Sequence, residues 1–216
     1  MSEQGWQADS PALSRVMGGL ELSRLISASH LSWHFDSERT TRLEAVLALR
    51  TIGPLRLAWL RTNHWGGHRD VADIRANPEP YLTFLMPLGG SIKLLDRGHA
   101  VEVCKHELGI WDSSAPLAFT IDSPRYEQLS VLVPQRLLRA GRRACRAVHC
   151  ARVERANVLS ELCVRHMKTL AKFLEDEMQQ YEISLSHVTT SLFDAVIASL
   201  QGNARDREHL LAAIKE

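Results

Sequence analysis

The chain of 216 residues is 45% hydrophobic and 24% charged, with 26 Lys plus Arg against 25 Asp plus Glu. That length and balance suit one or two packed domains and exclude a disordered chain, while a formal charge of +1 gives no whole-chain reason to bind nucleic acid. No apolar run reaches the about 18 residues of a membrane span, and the opening MSEQGWQADSPALS lacks the basic-then-apolar layout of a secretory signal, which points to the cytoplasm.

Residues 1–50 are mixed in composition and are assigned to an N-terminal arm and entry segment. Residues 51–134 carry most of the strand patterning and most of the Gly and Pro. LRLAWLRT (55–62) puts Leu55, Leu57, Trp59 and Arg61 on one face, and Arg56, Ala58, Leu60 and Thr62 on the other. YLTFLMPL (81–88) puts Leu82, Phe84, Met86 and Leu88 on one face and ends at Gly89-Gly90. Pro87 inside that pattern predicts an edge or a bulge. SIKLLD (91–96), a turn at Asp96-Arg97-Gly98, HAVEV (99–103), LGIWD (108–112), PLAFTI (116–121) and YEQLSVLV (126–133) follow. Short strands separated by turns fit a sandwich or barrel.

Residues 135–216 have no Pro and Gly only at 141 and 202, and they read as helix. From 157 to 181 the apolar residues Val158, Leu159, Leu162, Cys163, Met167, Leu170, Phe173 and Leu174 recur at gaps of three and four. A second helix fits 185–200, with Leu185, Val188, Leu192, Val196 and Leu200 aligned, Ser184 as its N-cap and Gly202 as its terminator. Residues 135–204 are thus a helical region forming an antiparallel hairpin. Residues 205–216 start a further helix that has no stop signal by Glu216, so the pattern predicts more protein beyond it. Strands first and helices after them make the class α+β.

The chemistry-bearing residues are sparse. The four cysteines, 104, 145, 150 and 163, have no two-residue gap, and despite the Arg around 145 and 150 the plainer reading is reduced, structural thiols. Among the ten histidines, His64, His68, His99 and His106 are the candidates for a barrel metal site, but no carboxylate accompanies them at a convincing spacing, so no metal and no cofactor is expected. There is no Gly-X-Ser-X-Gly, catalytic-Cys signature, phosphate loop or dinucleotide fingerprint, so no catalytic residue is assigned. Arg136, Arg139, Arg142, Arg143, Arg146, Arg152 and Arg155 form a basic run that reads as a solvated surface. Trp59, Phe84, Met86, Trp111 and Phe119 are candidates to line a cavity with Arg61 as a polar anchor. On pattern alone they suit plain core filling better.

The order of segments resembles the N-terminal sensor region of AraC/XylS-type transcription regulators, in the branch with an AraC-binding-like cupin domain. IGPLRLAWLRT (52–62) is similar to the family's Gly-Pro-Leu-led strand, and PEPYLTFLMPLGG (78–90) to its Tyr-Leu strand ending in Gly. Within GHAVEVCKHELGIWDSSAPLAFTIDSPRYEQLSVLVPQRLL (98–138), Asp112 and Pro116 fit an Asp-Ser-X-X-Pro segment, and Val133-Pro134-Gln135 with Leu138 fits the exit into the helices. The chain departs from the pattern at Lys105-His106-Glu107, where the family has Pro-Gly-Asp, and no pair of helix-turn-helix units occurs in 157–216.

The resemblance implies a cupin-like barrel over 51–134, followed by the helical hairpin as a dimerisation region. It implies a regulator's sensing unit and not an enzyme, with a small-molecule effector held by Trp59, Arg61, Phe84, Met86 and Trp111. A homodimer seam would run along Leu159, Leu162, His166, Leu170 and Phe173. DNA would be reached only through a C-terminal domain absent from this chain. The alternative is a metal-dependent cupin enzyme of the isomerase or dioxygenase type, which requires the four histidines to converge.

Overall fold

The computed structural model describes residues 18–36, 43–138, 150–153, 158–173 and 184–198. The elements run α1 (Gly19–Ser29), β1 (His34–Phe35), β2 (Ala45–Ile52), β3 (Leu55–Thr62), β4 (Trp65–Arg69) and α2 (Val71–Ala76). Then come β5 (Tyr81–Gly89), β6 (Ile92–Asp96), β7 (His99–Val103), β8 (Leu108–Asp112), β9 (Leu117–Ile121) and β10 (Tyr126–Pro134). A 3-10 turn (Gln135–Leu137), β11 (Cys150–Val153), α3 (Val158–Phe173) and α4 (184–198) complete the described chain.

The strands form two antiparallel sheets. One has six strands in the order β11-β8-β5-β10-β3-β2, and the other has five in the order β1-β4-β9-β6-β7. The strand pattern fits a sandwich or a barrel and the resemblance implies a cupin-like barrel, but among the described residues no ladder joins the two sheets, so the strand layers face each other as a sandwich. Strand pairing also reaches beyond 51–134. β1 and β2 precede it, and β11 returns within the stretch expected to be helical to pair with β8. β1 and β11 are short, His34–Phe35 being two residues and Cys150–Val153 lying inside the Arg-rich run, and within 51–134 the β4 segment Trp65–Arg69 is interrupted by two glycines.

Local chemistry sets the turns. β6 and β7 pair Asp96 with His99 across Arg97-Gly98, both at positive φ, 46° and 87°. That is the requirement of a two-residue hairpin loop whose twist matches its strands. Pro87 sits where Gln128 pairs with Pro87 while Glu127 pairs with Gly89, a one-residue bulge, as its position in the strand pattern requires. Gly67 is needed for a different reason. A Cβ there would lie 2.7 Å from the His34 carbonyl oxygen, so its absence lets β1 approach β4. At the turn that departs from the family pattern, His106 takes φ +62 and donates its N–H to the Pro87 carbonyl at 2.7 Å. Glu107 closes the turn by accepting from the Cys104 N–H at 2.9 Å.

The Asp-Ser-X-X-Pro segment is a structural junction. Asp112 Oδ1 accepts from the Ser114 N–H, the Ser114 hydroxyl and the Gln135 side-chain amide, at 2.8, 2.8 and 2.6 Å. Ser113 exchanges two bonds with Tyr81: its N–H donates to the Tyr81 carbonyl at 2.9 Å, and its hydroxyl accepts the Tyr81 N–H at 2.8 Å. The end of β8, the start of β5 and the exit of β10 are thereby fixed to one another.

The six-stranded sheet is apolar on both faces, and two cores result. On one face Leu57, Phe84, Met86, Ile110 and Val131 pack with Cys163, Met167 and Leu170 of α3 and with Phe193, Val196 and Ile197 of α4. On the other, Leu47, Ala58, Leu60, Leu85 and Trp111 meet Trp65, Leu94 and Phe119 of the five-stranded sheet, joined by Leu22 and Ile26 of α1. α3 and α4 are further tied by a 2.7 Å hydrogen bond between His166 Nε2 and the Thr189 hydroxyl. Residues 174–183, where the first helix is expected to continue to 181 before the hairpin turn, and 205–216, expected to start a linker helix, lie outside the described residues, as do Arg139, Arg142, Arg143, Arg146 and Arg155.

Phe84 and Phe193 stack at 3.8 Å between centroids with an interplanar angle of 13°, both fully buried. Phe193→Ala removes that plate from the helix–sheet core and lowers unfolding free energy by about 3–5 kcal/mol, read by urea denaturation.

Candidate functional site

Between the two sheets lies a cavity of ≈ 70 Å³, measured as room for the centre of a water-sized sphere. About 10–15 Å³ on that measure holds one water, so the space is several times what a single solvent molecule needs. Its origin is visible in the sheet register. Ala58 of β3 lies directly opposite Ser130 of β10, and both face inward. Two small side chains at the middle of the sheet leave a hollow, where the opposite face carries Leu57, Phe84 and Val131.

The walls are aromatic. Trp33 meets Trp111 and Phe119 edge-on at 5.5 and 5.2 Å, and Trp65 meets Phe119 edge-on at 5.0 Å, all four lining the cavity. Phe35 stacks on the outer part of this cluster, 4.8 Å from Trp65. Four polar residues join the lining: His30, Thr83, Gln128 and Ser130. Gln128 is oriented on both sides, accepting from the Tyr126 hydroxyl at 2.6 Å and donating to the Ser130 hydroxyl at 3.0 Å. By contrast, His30 Nδ1, Trp65 Nε1 and Thr83 Oγ1 are buried with no hydrogen-bond partner. Burial, and secondarily the positive charge of Arg56, pushes the His30 imidazole down to about 3, so it is neutral in the folded protein.

Arg69 fixes the N-terminal wall. It is 1% exposed on β4; its Nη1 donates to the Ser32 carbonyl at 2.8 Å and to Asn77 Oδ1 at 3.2 Å, and its Nε to the Ser113 carbonyl at 3.3 Å. Asn77 Oδ1 in turn accepts the Ser32 N–H at 2.7 Å. Arg56 reaches across from β3 and donates to the His30 carbonyl at 2.9 Å. The segment carrying His30 and Trp33 is therefore held over the cavity by two arginines acting on its carbonyls.

Of the five residues expected to bind an effector, the structure brings Trp111 to the cavity. Phe84 and Met86 are buried on the opposite, helix-covered face, and Trp59 packs against that same core, its indole N–H donating to Glu127 at 2.8 Å. Arg61 is exposed, with its guanidinium 5.7 Å from the centroid of the Trp59 ring. The strands alternate as their sequence predicts, but the face of β3 and β5 that carries Ala58 and Thr83 is the one that looks into the cavity. The signal lay in Ala58, Thr83 and Ser130, small or polar residues at strand centres. His30 and Trp33 lie in a stretch with no strand or helix period to mark them.

The histidines considered for a metal stay apart. His64 and His68 lie at β4, His99 on β7 and His106 in the turn before β8, and none lines the cavity. Elsewhere His34, Asp70 and Asp73 place ligand atoms within 4.8 Å of one another. Both carboxylates already serve the start of α2, Asp70 accepting the Ala72 and Asp73 N–H groups and Asp73 accepting the Asp70 N–H. His34 Nε2 lies 3.3 Å from Asp73. Burial raises the thiols of Cys150 and Cys163 to about 12 and that of Cys104 above its ordinary value, which keeps all three protonated. Arg136 pairs with Glu79, and Arg152 lies 3.6 Å from Glu107.

On the expected seam, Leu170 is buried in the protein's own core, Leu159 packs against it, and His166 is bound to Thr189. Leu162 is 47% exposed, and the Phe173 side chain lies outside the described set.

Residues 22–197 match the family model of the AraC-binding-like domain. Among solved structures, the AraC-like transcriptional activator CuxR has a TM-score of 0.70 at 12% identity, over 85% of this chain and 69% of that one. At that identity the likeness shows the fold, which is α+β and cupin-like. The EutQ protein of Clostridium difficile has a TM-score of 0.35 at 11% identity, over 43% of this chain and 64% of that one, too low to carry an argument. No curated protein matches the sequence. Among the described residues no helix is long and apolar enough to cross a membrane.

The unfolded chain takes up a proton at His30 near pH 6.5, and the folded chain refuses it until about pH 3. Stability present above pH 6.5 is therefore lost as pH falls through that window. At pH 4.5 the loss from this group is about 3 kcal/mol. His30→Gln removes that part of the acid sensitivity, checked by comparing urea midpoints of the two proteins at pH 7 and 4.5.

Proposed function

Since the chain belongs to the AraC-binding-like domain family, we propose that it is the effector-sensing unit of a transcription regulator, with the cavity between the sheets as its effector site. The observation that supports this most directly is an aromatic-walled hollow, bounded on one side by Ile26, His30 and Trp33 of the N-terminal segment. An occupant touching those residues would favour one placement of that segment over others. A ligand shifts a conformational equilibrium only through such a difference. The output is transcriptional and passes through a DNA-reading unit, in the cytoplasm.

Ala58 lines the hollow and is 6% exposed. Ala58→Phe fills the space from one wall, and the expected result in cells is a transcript profile like that of a gene deletion, while the purified variant remains folded by circular dichroism. A deletion that changes no transcript, or a folded Ala58→Phe indistinguishable from wild type, would remove the sensing role.

We place a homodimer contact on the outer side of the helices. Val158 and Leu162, one turn apart on α3, are 72% and 47% exposed, and Val188 on α4 is 55% exposed. These are large apolar side chains left over after the helix–sheet core is complete. Leu162→Glu is expected to shift the protein from dimer to monomer in sedimentation velocity at micromolar concentration, with its thermal midpoint within a few degrees of wild type. A wild-type protein sedimenting as a monomer would reject this face as a self-association surface.

A further inference from the structure

The polar atoms left without partners in the cavity wall specify the chemistry of what fills it. Trp65 and Thr83 are 4% and 1% exposed, and Trp65 Nε1 and Thr83 Oγ1 have no hydrogen-bond partner. Unpaired buried polar atoms are costly and uncommon, and here two, together with His30 Nδ1, belong to residues lining one space. We propose that the cavity takes an uncharged, flat, one- or two-ring ligand that presents a hydrogen-bond acceptor to Trp65 Nε1 and a polar group to Thr83 Oγ1. This rests on the effector-site reading and names the ligand class for it.

Charge excludes the alternatives on either side. Among the described residues no Asp, Glu, Lys or Arg lines the cavity, and His30 is neutral, so an anion would enter without a counter-charge in the wall itself. A cation would meet no carboxylate among the described lining residues. The indole and phenyl rings also pack edge-to-face on one another at 5.0–5.5 Å and do not form an open cage around a cation. A polyol would bring more hydroxyls than four polar lining residues can satisfy, two of which, Gln128 and Ser130, already bond each other. A flat ring system suits walls built mainly of aromatic and aliphatic groups, with only its polar edge needing partners.

The test is calorimetric titration of the whole chain with four probes: 4-quinolone, which is neutral and has a carbonyl acceptor and a ring N–H; its charged analogues 1-naphthoate and N-methylquinolinium; and glucose. The expected result is that 4-quinolone binds at least about tenfold more tightly than the other three. Trp65→Phe and Thr83→Val should each weaken it about five- to tenfold, the size of one buried hydrogen bond. Because Thr83→Val deletes an unpaired polar atom, the unliganded protein should be no less stable than wild type, which separates a binding role from a structural one. Tighter binding of a charged probe or of glucose, no binding of 4-quinolone, or a 4-quinolone affinity indifferent to both substitutions would overturn the ligand class. Ala58→Phe in cells reports on the sensing role separately. If it still abolishes regulation while these titrations fail, the site stands and the ligand class falls.

Discussion

A sheet that is apolar on both faces must be covered twice, and the rest of this structure follows from that requirement. The central strands β5 and β10 run Tyr81–Gly89 and Tyr126–Pro134 with almost no exposed residue. One face is closed by helices α3 and α4 and the other by the five-stranded sheet with α1. Removing either cover would return a continuous apolar surface to water, at roughly 25 cal/mol for each Å² exposed.

The two faces are not packed alike, and that difference creates the site. Against the helices, Leu57, Phe84, Met86 and Val131 pack on α3 and α4, with Phe84 stacked on Phe193. Against the second sheet, Ala58, Thr83 and Ser130 are too short to reach their opposites, and the aromatic cluster of Trp33, Trp65, Trp111 and Phe119 props the gap open. A dense core and a hollow one thus share one sheet.

The N-terminal segment links this hollow to the outside. It is held by the burial of Leu22, Ile26 and Leu31, by Trp33 against Trp111 and Phe119, and by charge-assisted hydrogen bonds from Arg69 and Arg56 to backbone carbonyls of Ser32 and His30, with only a two-residue strand pairing it to β4. Such bonds are individually strong but few. A segment anchored this way and lined by Ile26, His30 and Trp33 is placed to report on what the cavity contains.

The sequence by itself determined the class, the alternation and most strands. β3, β7 and β8 fall on the segments read from period two, and the bulge at Pro87 follows from the missing N–H. It also determined the helical face of Cys163, Met167 and Leu170, because a period near 3.6 marks one buried stripe whatever it packs against. Which side of the six-stranded sheet would be hollow could not be read there. Alternation separates two faces but does not say what covers each, and Phe84 and Met86 are as apolar as a pocket wall would be. Only the tertiary structure decided that the helices take the Trp59–Phe84–Met86 side, leaving Ala58, Thr83 and Ser130 to face the second sheet. His30 and Trp33 were invisible for a related reason: their place in the wall comes from distant hydrogen bonds at Arg56 and Arg69, which leave no local period in the chain.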